Sequence, residues 1–521
     1  RLARRQPTIP QKRRTAPDMN LVRRNLVANL VGSAYTPLVT LVCVPIYKGM
    51  LGTEAWGLVG FFVTLYAVVA QFGTGLNQAL NRELSRLSAL GNASRQMRDT
   101  VRSLELVYWL LAATAGLLVF FGAPLIGHYW VSAEDLSPDL ITRSVMLMGL
   151  TLAFQFPCAF YGGGLIGLQR QTLLAAVNIV MNSVRFLGAV GVLWWVSPTI
   201  HAFFLWQAAA SGAHAVVLAV CVWRSLPRAD GRPTLQRTIL RALWRFVLGA
   251  SGIALASLGL TQLDKVLLSH LLTLEDYGYY MLAHMAAIGL YVVTGAVYTA
   301  FLPQFTQRVS LNEQPQLVEQ YHLGCQVMAV LVLSAAATAA VFSRELLLVW
   351  IGDPTTVERA HLVLSLLLIG NALNGLMNMP YALQLANGCT SIALTMNLVA
   401  MIAMMPLIVV MTIFLGPVGA ACVWVLLNVF YMLVGTHITH RRFLPGQSRR
   451  WAIHDVLTPM AAAVAVAWLA RLVAPTDLDR WQMVPWLAAA GAACLTATAL
   501  ATSSVRRAIL LRLRPPTRRT S

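Results

Sequence analysis

The sequence predicts an all-α polytopic membrane protein of about fourteen transmembrane helices, forming two six-helix bundles around a central cavity with two extra C-terminal helices. Three observations carry that prediction: the composition, a succession of membrane-length apolar windows, and an internal repeat. The 521 residues are 57% hydrophobic and only 11% charged, with a mean hydropathy of +0.65. A soluble core cannot hide so much apolar surface behind so few charges, so soluble enzymes and nucleic-acid binders are excluded. The seven cysteines are odd in number and lie in or beside apolar segments, which gives no disulfide or metal framework.

A helix rising about 1.5 Å per residue needs roughly 20 apolar residues to cross the hydrocarbon core. Fourteen windows qualify: 26–46, 57–76, 106–126, 145–166, 173–196, 202–223, 246–267, 279–301, 325–342, 361–385, 392–415, 420–437, 456–473 and 484–502. The basic start, Arg1 to Arg24, lacks the short apolar core and cleavage site of a secretory signal, so no cleavage is expected. Met19 opens the block MNLVRRNL, which leaves room for the first 18 residues to be upstream sequence.

Orientation follows from Lys and Arg in the connections, because cytoplasmic loops retain them. With the N-terminus inside, 31 of the 39 basic residues fall on the inner side and six on the outer: Lys48, Arg143, Arg344, Arg359, Arg471 and Arg480. Both termini are therefore expected in the cytoplasm. The net charge of +19 becomes a topogenic bias with some attraction to anionic lipid headgroups, and nucleic acid is not an expected partner.

The repeat has a period near 220 residues: KGMLGTEAWGLVGF from Lys48 matches SHLLTLEDYGYYML from Ser269, pairing Glu54 with Glu275, Trp56 with Tyr277 and Gly57 with Gly278. Tyr161 and Tyr381 repeat the offset at the end of the fourth span of each half. The expected organisation is a basic arm (1–24), a first bundle (25–223), a basic linker (224–245), a second bundle (246–440), an accessory pair (441–502) and a basic tail (503–521).

Polar residues recur at helical spacing on single faces: Asn25, Asn29, Ser33, Thr36 and Thr40 in the first span; Asn178, Asn182 and Arg185 in the fifth; His284, Tyr291, Thr294 and Tyr298 in the eighth; Asn371, Asn374, Asn378 and Tyr381 in the tenth. In hydrocarbon such faces turn inward, either as interhelical hydrogen bonds or as the wall of a wet cavity. The candidate cavity residues are thus Arg185, Asn178, Asn182, Asn29, Asn371, Asn374, Asn378, Tyr291 and Tyr298.

Charges inside spans are more telling, since each costs on the order of 3 kcal/mol at the bilayer centre. Arg185 is mid-span and suits a phosphate group, with a structural arginine as the plain alternative. Asp264 and Lys265 end the seventh span about 100° apart on a helix, so that only one is expected to face a cavity fully. Asp264 and His284 are candidates for coupling to H+ or Na+; Lys265 and, at the inner mouth, Arg82 beside Asn77, Gln78, Asn81 and Glu83 are candidate gate residues. The alternatives are a salt bridge for Asp264, an interfacial snorkelling role for Lys265, packing for His284 and a solvated helix end for Arg82. The glycines at Gly162 to Gly164, close to Pro157, predict a helix break. No hydrolase, metalloprotease or P-loop motif occurs, no catalytic metal site is expected, and no outer loop has room for a catalytic loop, so no enzyme is expected.

Taken together, NLVANLVGSAYTPLVTLVCVPIY, LGTEAWGLVGF leading to GLNQALNRELSRL, Arg185 within NIVMNSVRFLGAVG, and TQLDKVLLSHLLTLEDYGYYMLAHM resemble the Wzx-type oligosaccharide-lipid flippases. These belong to the multidrug/oligosaccharidyl-lipid/polysaccharide (MOP) superfamily of exporters. The resemblance covers essentially Met19 to Thr502. It implies alternating access, a bacterial inner-membrane location, and an undecaprenyl-pyrophosphate-linked oligosaccharide as substrate, with a polysaccharide polymerase and chain-length regulator as partners and no cofactor. Three other readings stand beside it: a drug or cation antiporter of the same superfamily, a lipid II flippase, and a non-transporting membrane subunit of the polysaccharide machinery. The antiporter is disfavoured because only Asp264 supplies a carboxylate within the predicted spans. The lipid II flippase is disfavoured because the first span carries no charge.

Overall fold

A computed structural model describes residues 19–90, 93–475 and 479–507, with side chains from Tyr35 onward except a few, chiefly in 253–261. The arm and most of the basic tail lie outside the described residues, as do the side chains of Asn25, Asn29 and Ser33. The described chain is helical throughout, in the order α1 Met19–Leu51, α2 Thr53–Leu90, α3 Ser94–Leu125, α4 Pro138–Gly167, α5 Gln171–Trp195 and α6 Ile200–Ser225. After a connection come α7 Arg237–Thr261, α8 Leu263–Leu271, α9 Leu274–Ala287, α10 Leu290–Ser310, α11 Gln314–Val341, α12 Ser343–Trp350 and α13 Pro354–Ala386. The chain ends with α14 Ser391–Phe430, α15 Thr436–Phe443, the single turn α16 Ser448–Arg450, α17 Thr458–Val473 and α18 Met483–Ala501.

Eleven helices among the described residues are long and apolar enough to cross a membrane. One, Ser391–Phe443, is 53 residues long, far beyond a bilayer's thickness, and turns at Gly416, whose φ of +58° and ψ of −142° are open to glycine and unfavourable for other residues. Helix covers all fourteen predicted windows to within a residue at the ends, but two are interrupted. The seventh breaks at Gln262 (φ −129°, ψ −18°) between α7 and α8, and the eighth breaks between α9 and α10 at Ile288 and Gly289. Conversely, the break expected at Gly162 to Gly164 is absent, because α4 runs unbroken through Pro157 to Gly167. The middle glycine serves close packing instead: a methyl group on Gly163 would lie 1.7 Å from Asn77 Oδ1 of α2.

Helices α1 to α6 pack as one bundle, through α3 on α4, α4 on α6, α2 on α4 and α1 on α5. Helices α7 to α15 form a second, centred on α13, which touches α9, α10, α11 and α14. The bundles meet where α2 packs on α7 and α9, while α17 and α18 pair with each other against α11. Across the predicted outer side, Lys48 pairs with Asp353, Trp350 Nε1 donates to Leu41 O (2.7 Å), and Leu274 N donates to Ser132 O (2.8 Å). The two bundles are thereby fastened together at that end.

Candidate functional site

Where α2 meets α8 and α9, the two helix breaks open a cavity of about 380 Å³. Its wall includes Thr64 of α2, Gln262, Asp264, Lys265, Tyr280, His284 and Tyr291, closed by Leu367 and Trp424. Breaking a helix frees backbone groups that must be satisfied, and the sequence provides for this at α9: Asn371 Nδ2 donates to Ala287 O (2.9 Å). Its Oδ1 accepts from Tyr291 Oη (3.1 Å) and Trp424 Nε1 (2.9 Å), so this buried carboxamide holds three helices at the break.

The break at Gln262 also changes the expected arrangement of Asp264 and Lys265. On a continuous helix only one would face the cavity fully, whereas the new first turn of α8 brings both to the same wall, with Lys265 Nζ 3.2 Å and 3.3 Å from the two Asp264 oxygens. Asp264 sits in the first turn of α8, where the helix dipole favours a carboxylate. His284 stacks on Tyr280, with ring centroids 6.3 Å apart and planes inclined by 4°.

The candidate residues of the first bundle lie apart from this cavity's wall. Asn178 Oδ1 meets His214 Nε2 (3.2 Å), joining α5 to α6, and Asn182 Nδ2 donates to Thr36 Oγ1 (2.9 Å), joining α5 to α1. Arg185 lies within electrostatic reach of Tyr47, Tyr66, Cys158 and His214, its guanidinium carbon 4.6 Å from the Phe186 ring centre and its buried Nε without a protein partner. Asn374 and Asn378 line a separate cavity, and Tyr298 stacks on Tyr381 at its edge (centroids 6.3 Å apart). Arg82 is exposed at the predicted inner end of α2.

Among the buried carboxylates that the sequence did not single out are Glu105 and Asp455. Glu105 accepts from Tyr161 Oη (2.7 Å), Trp223 Nε1 (3.2 Å) and Arg102 (3.1 Å). Asp455 pairs with His322 and accepts from Gln326 Nε2 (2.8 Å), with His322 and Asp455 both sealed from solvent. Each stands one residue before a predicted window, where a loop was expected. Among the described residues no group of three or more His, Cys, Asp or Glu could hold a metal.

The polysaccharide biosynthesis protein family matches residues 22–309, more than half of the chain. The chain belongs to that family. Among curated proteins no significant match is found. A solved structure of the lipid II flippase MurJ in an inward closed conformation superposes with a TM-score of 0.67 at 12% identity, covering 95% of this chain and 100% of that one. An inward-facing multidrug-resistance MATE transporter of the MOP superfamily gives 0.64 at 13% identity over 80% of this chain and 98% of its own. A MOP transporter from Pyrococcus furiosus gives 0.53 at 15%, over 83% and 96%. This polysaccharide biosynthesis family member therefore has the fold of these MOP-superfamily structures.

Proposed function

We propose that the protein moves undecaprenyl-pyrophosphate-linked oligosaccharide repeat units from the inner to the outer leaflet of the bacterial cytoplasmic membrane by alternating access, supplying surface polysaccharide synthesis. The observation that carries this reading is the cavity at the bundle interface: ionisable groups are gathered at two broken helices while the predicted outer ends are fastened shut. Ionisable residues inside a membrane protein are expensive to bury and favour a transport role over a scaffold. Arg185 is the candidate for the pyrophosphate, because its fork matches phosphate oxygens and its buried Nε is unused. Asp264 and His284 are the candidates for H+ or Na+ coupling, and Arg82 and Lys265 for gating. A polysaccharide polymerase and chain-length regulator are the partners this reading implies.

The test is a flipping assay in vesicles with undecaprenyl pyrophosphate carrying N-acetylglucosamine. Wild type should move it; Arg185→Lys should retain partial rate, and Arg185→Ala and Arg185→Glu should lose it at normal abundance. An Arg185→Ala protein that flips like wild type would make the arginine structural. Failure of wild type to move any lipid-linked sugar would overturn the reading.

A further inference from the structure

We infer that a second cavity, wholly inside the C-terminal bundle, is the sugar-recognition subsite of this transporter and that it selects uncharged sugars. The cavity, about 250 Å³, lies among α13, α14 and the turns that follow it. Asn374, Asn378, Tyr381, Gln384, Asn397 and Tyr431 supply its polar wall, and no lining residue is charged. In a site without a countercharge, a sugar carboxylate stays uncompensated, whereas hydroxyl and acetamido groups are matched by amides and phenols.

The hydrogen bonds inside the wall leave a defined set of groups for a ligand. Tyr431 Oη donates to Asn397 Oδ1 (2.9 Å), which leaves the Asn397 amide hydrogens unused. Asn378 Nδ2 donates to carbonyls of its own helix (3.1 Å and 3.2 Å), which leaves its Oδ1. Gln384 Nε2 donates to Thr439 Oγ1 (2.7 Å), while Gln384, only 4% exposed, has a buried Oε1 without a protein partner. Among the described residues the Tyr381 hydroxyl makes no hydrogen bond, and its ring is stacked against Tyr298. The Asn397 amide donor, the two amide acceptors of Asn378 and Gln384, and the Tyr381 phenol around an aromatic face suit the mixed donors and acceptors of a sugar ring.

The subsite neighbours the cavity at the bundle interface through shared wall residues. Tyr431 is shared with a small apolar cavity lined by Met401, Met404 and Met405, and that cavity shares Asp264, Tyr280 and Trp424 with the ionic one. The inference rests on the flippase reading and adds where, and by which chemistry, the glycan is read.

The experiment compares binding of three probes to the full chain in nanodiscs by native mass spectrometry: bare undecaprenyl pyrophosphate, the same carrier with N-acetylglucosamine, and the carrier with glucuronic acid. The readout is the ratio of each sugar-bearing probe to the bare carrier, so that general losses of protein or carrier binding cancel. Wild type should favour the neutral sugar over both others about tenfold, and Asn378→Ala, Asn397→Ala and Tyr381→Phe should each lower that ratio about fivefold, the loss of one hydrogen bond. Tyr381→Phe retains the ring on a half-exposed side chain and guards against misfolding of the asparagine variants. Equal binding of all three probes, preference for the uronate, or an unchanged ratio in all three variants overturns the subsite while leaving flipping intact. Binding of no polyprenyl pyrophosphate at all overturns both.

Discussion

Gly57 and Gly278, matching positions of the two sequence repeats, face each other where the bundles meet at the predicted outer side. A methyl group on Gly278 would lie 3.3 Å from Gly57 N and 2.8 Å from Thr53 O, and one on Gly57 would lie 2.1 Å from Leu274 O. The repeat thus marks a contact of near two-fold character, made possible by the smallest residue on both sides. Gly57→Ala and Gly278→Ala should each force α2 and α9 apart and weaken this closed state by about 1–3 kcal/mol, since the obstructing atoms are backbone. Spin labels at Asp139→Cys and Thr355→Cys, in a protein whose native cysteines have been replaced, should report a longer mean distance in both variants. An unchanged distance distribution would show that the glycines are dispensable for closure.

The Lys48–Asp353 pair joins the bundles at the same end and gives closure a pH dependence. The Lys48 ammonium, with Thr356 Oγ1 donating at 2.5 Å, holds the Asp353 carboxyl down at about 2. A carboxylate whose value is depressed in the closed state stabilises that state above its ordinary value of about 4, and the contribution is lost as pH falls through that range toward 2. Closure should therefore be level from neutral pH down to about 5 and loosen below it. Asp353→Asn should be loose at every pH, by a modest amount because Asp353 is partly exposed. The same label pair measures it; a wild type indifferent to acid down to about pH 2 would remove the pair from the closing mechanism.

Within the cavity at the bundle interface, Asp264 and Lys265 form an ion pair on one wall. Removing one member leaves a charge in a poorly solvated site, which costs about 3–5 kcal/mol in fully buried cases and somewhat less here, where 24% of the Asp264 side chain and 12% of the Lys265 side chain remain exposed. Asp264→Asn and Lys265→Met should each lower membrane abundance, and the double variant should recover abundance without recovering transport if the pair couples an ion. Transport by the double variant with the wild-type dependence on the proton or sodium gradient would reduce the pair to a structural role.

Much of this was legible in the sequence because hydrophobic length and basic loops are strong, additive signals. The fourteen windows coincide with helix, and the Gly57 and Gly278 repeat lies on the bundle interface. The helix breaks were not legible. Gln262 carries no glycine or proline signal, and at the next broken span the freed carbonyl of Ala287 is satisfied by Asn371, 84 residues away. Gly162 to Gly164 misled in the opposite sense, since a run of glycines reads as flexibility when its partner, Asn77 on α2, is unknown. Arg185 was found because a charge in an apolar run is conspicuous, whereas Glu105 and Asp455 were hidden by lying one residue outside such runs.

Asp455 fixes the accessory pair to the second bundle, and its removal should detach that pair. Asp455 precedes α17, while His322 and Gln326 belong to α11, and His322 Nε2 in turn meets Gln447 Oε1 (3.0 Å) in the connection from α15. Gln326 Oε1 accepts from Ser504 N beyond α18 (2.7 Å), so one sealed cluster ties both accessory helices to α11. A carboxylate at 0% exposure is held by its partners alone, and truncating it leaves His322 and Gln326 facing each other in an apolar site. Asp455→Ala should destabilise the protein by about 3–5 kcal/mol, whereas Asp455→Asn, which retains one acceptor for Gln326, should lose less. The check combines thermal unfolding in detergent with protease accessibility of the connection at Leu444 to Gln447, which should be cut faster in Asp455→Ala while the loops of the first bundle are not. Equal unfolding temperatures for wild type and Asp455→Ala would show that α17 and α18 are held by apolar packing alone.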